Sequence, residues 1–222
     1  MRLASVNIYS VIHQKKELKQ FNTMGNHLHK QYKIYQILTD DTLAHCHAVT
    51  KFSDDEIRAE HEKFFRITGN GCLKKSHMEE LLGDYVPLGK HKNIKYLTKC
   101  IFSTIDTNND GYIDFLEYLI SIKFFKTKSP IEKANFMFRI LDKNGDKHVT
   151  LKEIEPLLKC LEEYHKSSSN THVTNMMNDG AKSAACAVLA KLDENNSGDI
   201  GVSEFVDGWL KDETIRALFT FQ

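Results

Sequence analysis

Apolar residues in this chain recur in short bursts at helical spacing, each burst separated from the next by a polar gap of about a dozen residues. Ile101, Phe102 and Ile105 make one burst, Met137, Phe138 and Leu141 a second, and Val188, Leu189 and Leu192 a third. Beyond each gap a second burst follows: Phe115, Leu116 and Leu119; Ile154, Leu157 and Leu158; Phe205, Val206 and Trp209. Recurrence at three and four residues places side chains on one helical face. The pattern therefore predicts helix–loop–helix units that bury apolar faces between paired helices. Pro156 falls just inside the helix after the second gap, where it removes a backbone hydrogen bond and is expected to kink that helix. At the end of the chain Ile215, Leu218 and Phe219 form one stripe, with Phe221 close by, while Lys211, Asp212, Glu213 and Arg216 face elsewhere. Such a stripe needs a cover, either by permanent packing or as a lid on a groove.

The polar gaps carry the chemistry. Asp106–Glu117 reads DTNNDGYIDFLE, with oxygen-bearing residues at positions 1, 3, 5, 7, 9 and 12 and glycine at 6. This is the twelve-residue calcium loop of an EF-hand, which satisfies a hard cation with six to eight oxygens. Asp106, Asn108 and Asp110 fill the first three places, Tyr112 offers its carbonyl, Asp114 acts directly or through water, and Glu117 closes with both carboxylate oxygens. In Asp142–Glu153 the same places fall to Asp142, Asn144, Asp146, the His148 carbonyl, Thr150 and Glu153. Lys147 stands there where glycine is expected, a left-handed position that costs a side chain roughly 1 kcal/mol or more. In Asp193–Glu204 the ligands are Asp193, Asn195, Ser197, the Asp199 carbonyl and Glu204, with Gly201 leaving position 9 to water. Fewer direct carboxylates predict weaker binding there.

Arg66–His77 (RITGNGCLKKSH) is a broken copy. It keeps Gly71 and Leu73 at positions 6 and 8 but has no carboxylate at any ligand place, so it is expected to bind no calcium. Paired loops join through their position-8 residues, which predicts bridges Leu73–Ile113 and Val149–Ile200. The expected fold is all-α: four helix–loop–helix units, the first degenerate, in two lobes with short two-stranded β bridges. The expected divisions are 1–50, a partly disordered extension; 51–128, the degenerate unit with the Asp106 unit; and 129–222, the last two units with a C-terminal helix. The second and third live loops start 36 and 51 residues after their predecessors. The extra length, Glu162–Gly180, is rich in Ser, Asn and Thr and reads as a mobile connection.

Composition narrows the function classes. The 222 residues balance 30 basic against 30 acidic side chains, which gives no case for nucleic acid. No stretch approaches the roughly 18 apolar residues of a membrane span. Five scattered cysteines without a CxxC pair fit a reducing, cytoplasmic setting. His27, His29, His45 and His47 lack a closing pair at finger spacing and read as solvated loop histidines rather than zinc ligands. No nucleophile–base signature is visible, so an enzyme is not expected.

Phe52–Arg66 (FSDDEIRAEHEKFFR), the degenerate loop after it, Gly111–Leu119 (GYIDFLEYL) and Phe205–Phe219 (FVDGWLKDETIRALF) together resemble the neuronal calcium sensors of the recoverin and neurocalcin type. The resemblance runs from about Phe52 to the C-terminus. YIDFLEY with Met24-Gly25-Asn26 is most similar to the guanylate cyclase-activating subgroup. The chain departs from the family at Thr68-Gly69, where the degenerate loop usually has Cys-Pro, and at Glu60, usually tryptophan. The resemblance implies a calcium sensor that binds about three ions, opens an apolar groove and takes an amphipathic helix from a target. A membrane guanylate cyclase, a receptor kinase or a channel would each fit as that target.

In the first lobe Phe52, Ile57, Phe64, Tyr85, Ile101 and Phe102 would line the groove. Reversible membrane association is a further implication, with the protein cytoplasmic or peripheral at membranes. Met1–Thr23 makes a poor signal peptide, because its apolar run Leu3–Ile12 is short and broken. With initiation at Met24, Gly25 would become a candidate for myristoylation; as an internal residue it is not one. A calcium buffer and a constitutive regulatory subunit remain the other function classes.

Overall fold

The structure, a computed structural model, describes residues 34–78, 94–166 and 171–219. Met24–Asn26, the Gly25 site, Tyr85 and Phe221 lie outside these. The described residues are all-α apart from one short sheet and one isolated bridge. In chain order the helices are α1 (Asp40–Thr50), α2 (Asp54–Thr68), α3 (Ile94–Ile105), α4 (Phe115–Lys126), α5 (Pro130–Leu141), α6 (Leu151–Lys166), α7 (Thr171–Met177), α8 (Ala181–Leu192), α9 (Val202–Lys211) and α10 (Glu213–Phe219). The predicted apolar bursts all fall on helices that enter or leave a loop.

The bridges follow the position-8 residues. Strand β1 (His148–Val149) pairs antiparallel with β2 (Ile200–Gly201), Val149 opposite Ile200, and Leu73 pairs with Ile113 through two 3.0 Å hydrogen bonds. All four side chains are fully buried, Leu73 at 1 % exposure and the others at 0 %.

The chain divides into two compact units, Met1–Cys72 with Asp114–Ile120, and Leu73–Ile113 with Ser121–Gln222. In the first, α1 lies within the segment expected as an extension and buries Leu43, Cys46 and Thr50. Its histidines are not loop residues: His45 Nδ1 meets the Tyr35 hydroxyl at 3.0 Å and His47 Nδ1 the Phe52 carbonyl at 2.8 Å. Helix α2 starts at a reciprocal cap, Glu56 N donating to Ser53 Oγ and Ser53 N to the Glu56 carboxylate, with three acids in its first turn facing the helix dipole. It buries Ile57, Glu60 and Phe64. Phe64 packs on Phe115 and Tyr118, ring centroids 5.6 and 5.0 Å apart. Glu60 is satisfied by the Tyr118 hydroxyl at 2.7 Å, so the family's tryptophan position holds a buried, hydrogen-bonded carboxyl instead.

In the second unit α5 packs on α9, with Phe138 edge-on to Phe205 at 5.7 Å, and α6 packs along α8. Helix α3 lies against both α5 and α6. Pro156 sits inside α6, where the Lys152 carbonyl loses its helical N–H partner. The stretch expected to be a mobile connection contains α7, which buries Val173 and Met177. Its polar composition hid two apolar residues four apart, enough for a short helix to dock. Helix α10 is packed: Ile215, Leu218 and Phe219 are each 0 % exposed, and Phe219 meets Phe205 at 6.0 Å. Buried His165 at the end of α6 bonds the Leu218 carbonyl through Nε2 at 2.8 Å.

Candidate metal centres

Each loop starts where a helix ends and closes at the first turn of the next, so the backbone path decides where the oxygens go. Positions 4 and 6 are left-handed in every copy: Gly69 and Gly71, Asn109 and Gly111, Gly145 and Lys147, Asn196 and Gly198. Lys147, at φ 71°, adopts the strained conformation expected of it. The regularity at position 4 escaped the sequence reading, although Gly or Asn at every position 4 was its signal, since those residues tolerate φ > 0 best.

The acids hold this path by accepting from it. Gly111 N, Lys147 N and Gly198 N donate to the Oδ2 atoms of Asp106, Asp142 and Asp193 at 3.0, 3.1 and 2.9 Å. Position-5 amides donate to the position-3 asparagines, Asp110 to Asn108 at 2.8 Å, Asp146 to Asn144 at 3.0 Å and Ser197 to Asn195 at 2.8 Å. Tyr112 N and His148 N donate to Asp110 and Asp146, both at 2.9 Å, while Ser197 Oγ donates to the Asp199 carbonyl. At the closing end Glu117, Glu153 and Glu204 take the position-9 amides of Asp114, Thr150 and Gly201 at 3.2, 3.0 and 2.8 Å. Glu153 and Glu204 also reach back to the position-2 amides of Lys143 and Glu194, both at 3.2 Å. Thr150 Oγ1 donates to Glu153 as well.

Asp106, Asp114, Glu117 and Glu153 are buried; burial raises the Asp106 carboxyl, against the lowering effect of the Gly111 amide. The ligand set is all oxygen, from carboxylates, amides, hydroxyls and peptide carbonyls, which fits calcium rather than a softer metal. Among the described residues no three His, Cys, Asp or Glu side chains converge on one metal position; the acids cap the loop backbone. Bound there, the ion would supply a multivalent positive centre drawing positions 1 and 12 of a loop together.

One loop-to-loop contact was not foreseen. His148 and Asp199, valued above only for their carbonyls, pair through Nδ1 and Oδ1 at 2.8 Å, and this hydrogen bond raises the His148 pKa. Both stand at position 7; His148 faces Gly201 in the register, so the contact with Asp199 runs diagonally across the bridge. The degenerate loop has other means: Gly71 N donates to Thr68 Oγ1 and Cys72 N to Asn70 Oδ1, while the buried His77 Nδ1, at the closing position, has no hydrogen-bond partner among the described residues. Of the expected groove residues, Phe52, Ile57 and Phe64 are buried in the first unit and Ile101 and Phe102 in the second. Burial also pushes the Cys46 thiol up to about 12 and Cys100 and Cys160 to about 11, away from reactive thiolate. No helix of the described residues is long and apolar enough to cross a membrane.

Comparison with known proteins agrees with the loops. Two family models, both described as an EF-hand domain pair, match residues 131–210 and 89–121. A guanylyl cyclase inhibitory protein of Lithobates pipiens is 28 % identical over 73 % of this chain and 76 % of its own length. Guanylyl cyclase-activating protein 1 of Gallus gallus is 26 % identical over 78 % of this chain and 81 % of its own. Visinin of Gallus gallus is 22 % identical over 83 % and 94 %.

Proposed function

The chain is a calcium-binding EF-hand protein of the neuronal calcium sensor type, and from that premise we propose that it binds three calcium ions and regulates a target protein in response. The ions belong in the loops starting at Asp106, Asp142 and Asp193, with none at Arg66–His77. The observation that supports this is the repeated frame, in which each live loop aims a position-1 aspartate and a position-12 glutamate at its own backbone amides. Ligation replaces those acceptor roles and moves the entering helix against the leaving one, which in sensor EF-hands uncovers apolar surface. The side chains this would free are Phe52, Ile57 and Phe64 and, separately, Ile101 and Phe102. Their chemistry suits an amphipathic target helix with apolar anchors at helical spacing.

The target we infer is a guanylyl cyclase, because two of the relatives above are named for inhibiting and for activating that enzyme. The chain itself acts as a regulator without catalysis, in the cytoplasm or peripherally at membranes. Cyclase activity in membranes supplied with the protein, assayed in calcium and in chelator, tests the assignment. The expected result is an activity difference between the two conditions that requires the protein and is lost in Glu117→Gln. Equal activity in both would leave the target elsewhere. A buffer would bind calcium without altering any partner, and a constitutive subunit would act equally in both conditions.

A further inference from the structure

We propose that Arg139 couples the Asp106 loop to the Asp142 loop, so that filling either strengthens binding at the other. The inference rests on the reading that both loops hold calcium. In EF-hand pairs the bridge between loops is the direct connection from one site to the next. For the Asp106 loop that bridge leads to Arg66–His77, which has no acid to offer an ion. Its connection to a working loop has to run elsewhere.

The second unit supplies one. Helix α3, which enters the Asp106 loop, lies against α5, which enters the Asp142 loop, and against α6, which leaves it. At the loop ends of α3 and α5 a side chain of one helix is bonded to the backbone of the other. Arg139 Nη2 donates to the Thr104 carbonyl at 3.0 Å, while the Thr104 hydroxyl donates within α3 to the Cys100 carbonyl at 2.9 Å and only approaches the Arg139 carbonyl, at 3.4 Å. Thr104 is two residues before Asp106 and Arg139 three before Asp142. The guanidinium thus caps the carboxyl end of α3, where unpaired carbonyls and the negative pole of the helix dipole favour a cation.

A second tie lies about two turns back along α3. The Lys143 ammonium sits 4.7 Å from the Tyr96 ring centroid and bonds the Tyr96 hydroxyl, while the Lys143 amide donates to Glu153. From Tyr96 the path thus reaches the residue that closes the Asp142 loop. Closing that loop repositions the end of α5 and the start of α6 together, and the clamp passes the displacement to the last turn before Asp106. Linkage then requires equal coupling in both directions.

Calorimetric calcium titrations of the full chain in a Glu204→Gln background, which leaves these two loops, measure the coupling. The Asp106-loop affinity is compared with the Asp142 loop intact and with it disabled by Glu153→Gln or, independently, by Asp142→Asn. With Arg139 present, disabling the Asp142 loop is expected to weaken the Asp106 loop about five-fold or more. In Arg139→Gln the ratio is expected to fall most of the way to one, the Tyr96–Lys143 tie keeping the remainder, and Arg139→Lys, which keeps a donor for the Thr104 carbonyl, should retain more of it. A ratio unchanged by Arg139→Gln, or a ratio of one with Arg139 in place, overturns the proposal.

Amide exchange gives a readout that does not depend on binding at Asp106. In Glu117→Gln, calcium is expected to slow exchange at Phe102–Ile105 when Arg139 is present and to leave it unchanged in Arg139→Gln. Slowing that survives Arg139→Gln also overturns the clamp. If instead the Asp106 loop takes up no calcium in any background, it is the calcium assignment of that loop that has failed, a result distinct from loss of coupling.

Discussion

The loops Arg66–His77 and Asp106–Glu117 share a bridge and a backbone path, yet only the second carries the carboxylates of the proposed ion site. Both are left-handed at positions 4 and 6, and both meet at Leu73 and Ile113. In the live loop the turn amides are taken by Asp106, Asn108 and Asp110; in the degenerate one a hydroxyl and an amide, Thr68 and Asn70, do the same work. The backbone frame and the ion site are therefore separable. The frame needs two left-handed places, held by glycine or asparagine in every loop except at Lys147, and any short oxygen acceptor, whereas the proposed site needs charge at positions 1 and 12. The contrast is sharpest at position 12, where glutamates collect backbone amides and His77 buries an Nδ1 that has no partner among the described residues.

The largest effects should come from removing that charge while keeping the frame. Glu117→Gln, Glu153→Gln and Glu204→Gln each retain an acceptor for the position-9 amide but lose the bidentate carboxylate. Each is expected to lower the calorimetric calcium count from three to two, with helicity by circular dichroism unchanged. A variant that keeps the full count identifies a loop that is not a site, and a fourth ion in the unaltered chain would overturn the separation of frame from site.

Next in size is the cover over the last hand. Phe219 is fully buried against Phe205, so Phe219→Ala should cost about 3–5 kcal/mol in urea unfolding. A cost near zero would instead mark α10 as a detachable lid. Smaller is the strain at position 6. Lys147→Gly relieves a left-handed side chain and removes a cation beside the ion site, and should tighten the Asp142 loop roughly five-fold. Lys147→Ala keeps the backbone strain and should gain less.

The smallest effect is a pH dependence at His165. Burial, the main cause, lowers its pKa below the ordinary 6.5, against the opposing hydrogen bond to Leu218. A depressed histidine contributes stability that is full above pH 6.5 and is lost as pH falls from there towards the lower folded value. His165→Gln should flatten that part of the stability profile, measured by thermal melts between pH 5 and 7.5.

Much of this was legible because the loops are written in fixed positions. Twelve-residue spacing located each turn, and the position-8 residues gave both bridges, since β pairing there needs only one buried apolar side chain per loop. The left-handed Lys147 was legible for the same reason. Contacts that depend on three-dimensional neighbours were not. Glu60 finds Tyr118, 58 residues away, and Arg139 finds Thr104, 35 residues away, through helix packing that no local pattern encodes. Helix α7 was missed because two buried residues, Val173 and Met177, outweigh a polar composition once α6 and α8 offer them a surface.

Whether charge at positions 1 and 12 converts the stable frame into a sensor is read by fluorescence of an apolar-surface dye. The full chain is measured in calcium and in chelator, beside a variant with all three closing glutamates changed to glutamine. Fluorescence should rise with calcium in the natural chain and not in the triple variant, whose chelator signal should match. Equal fluorescence of the natural chain in both conditions would contradict that conversion.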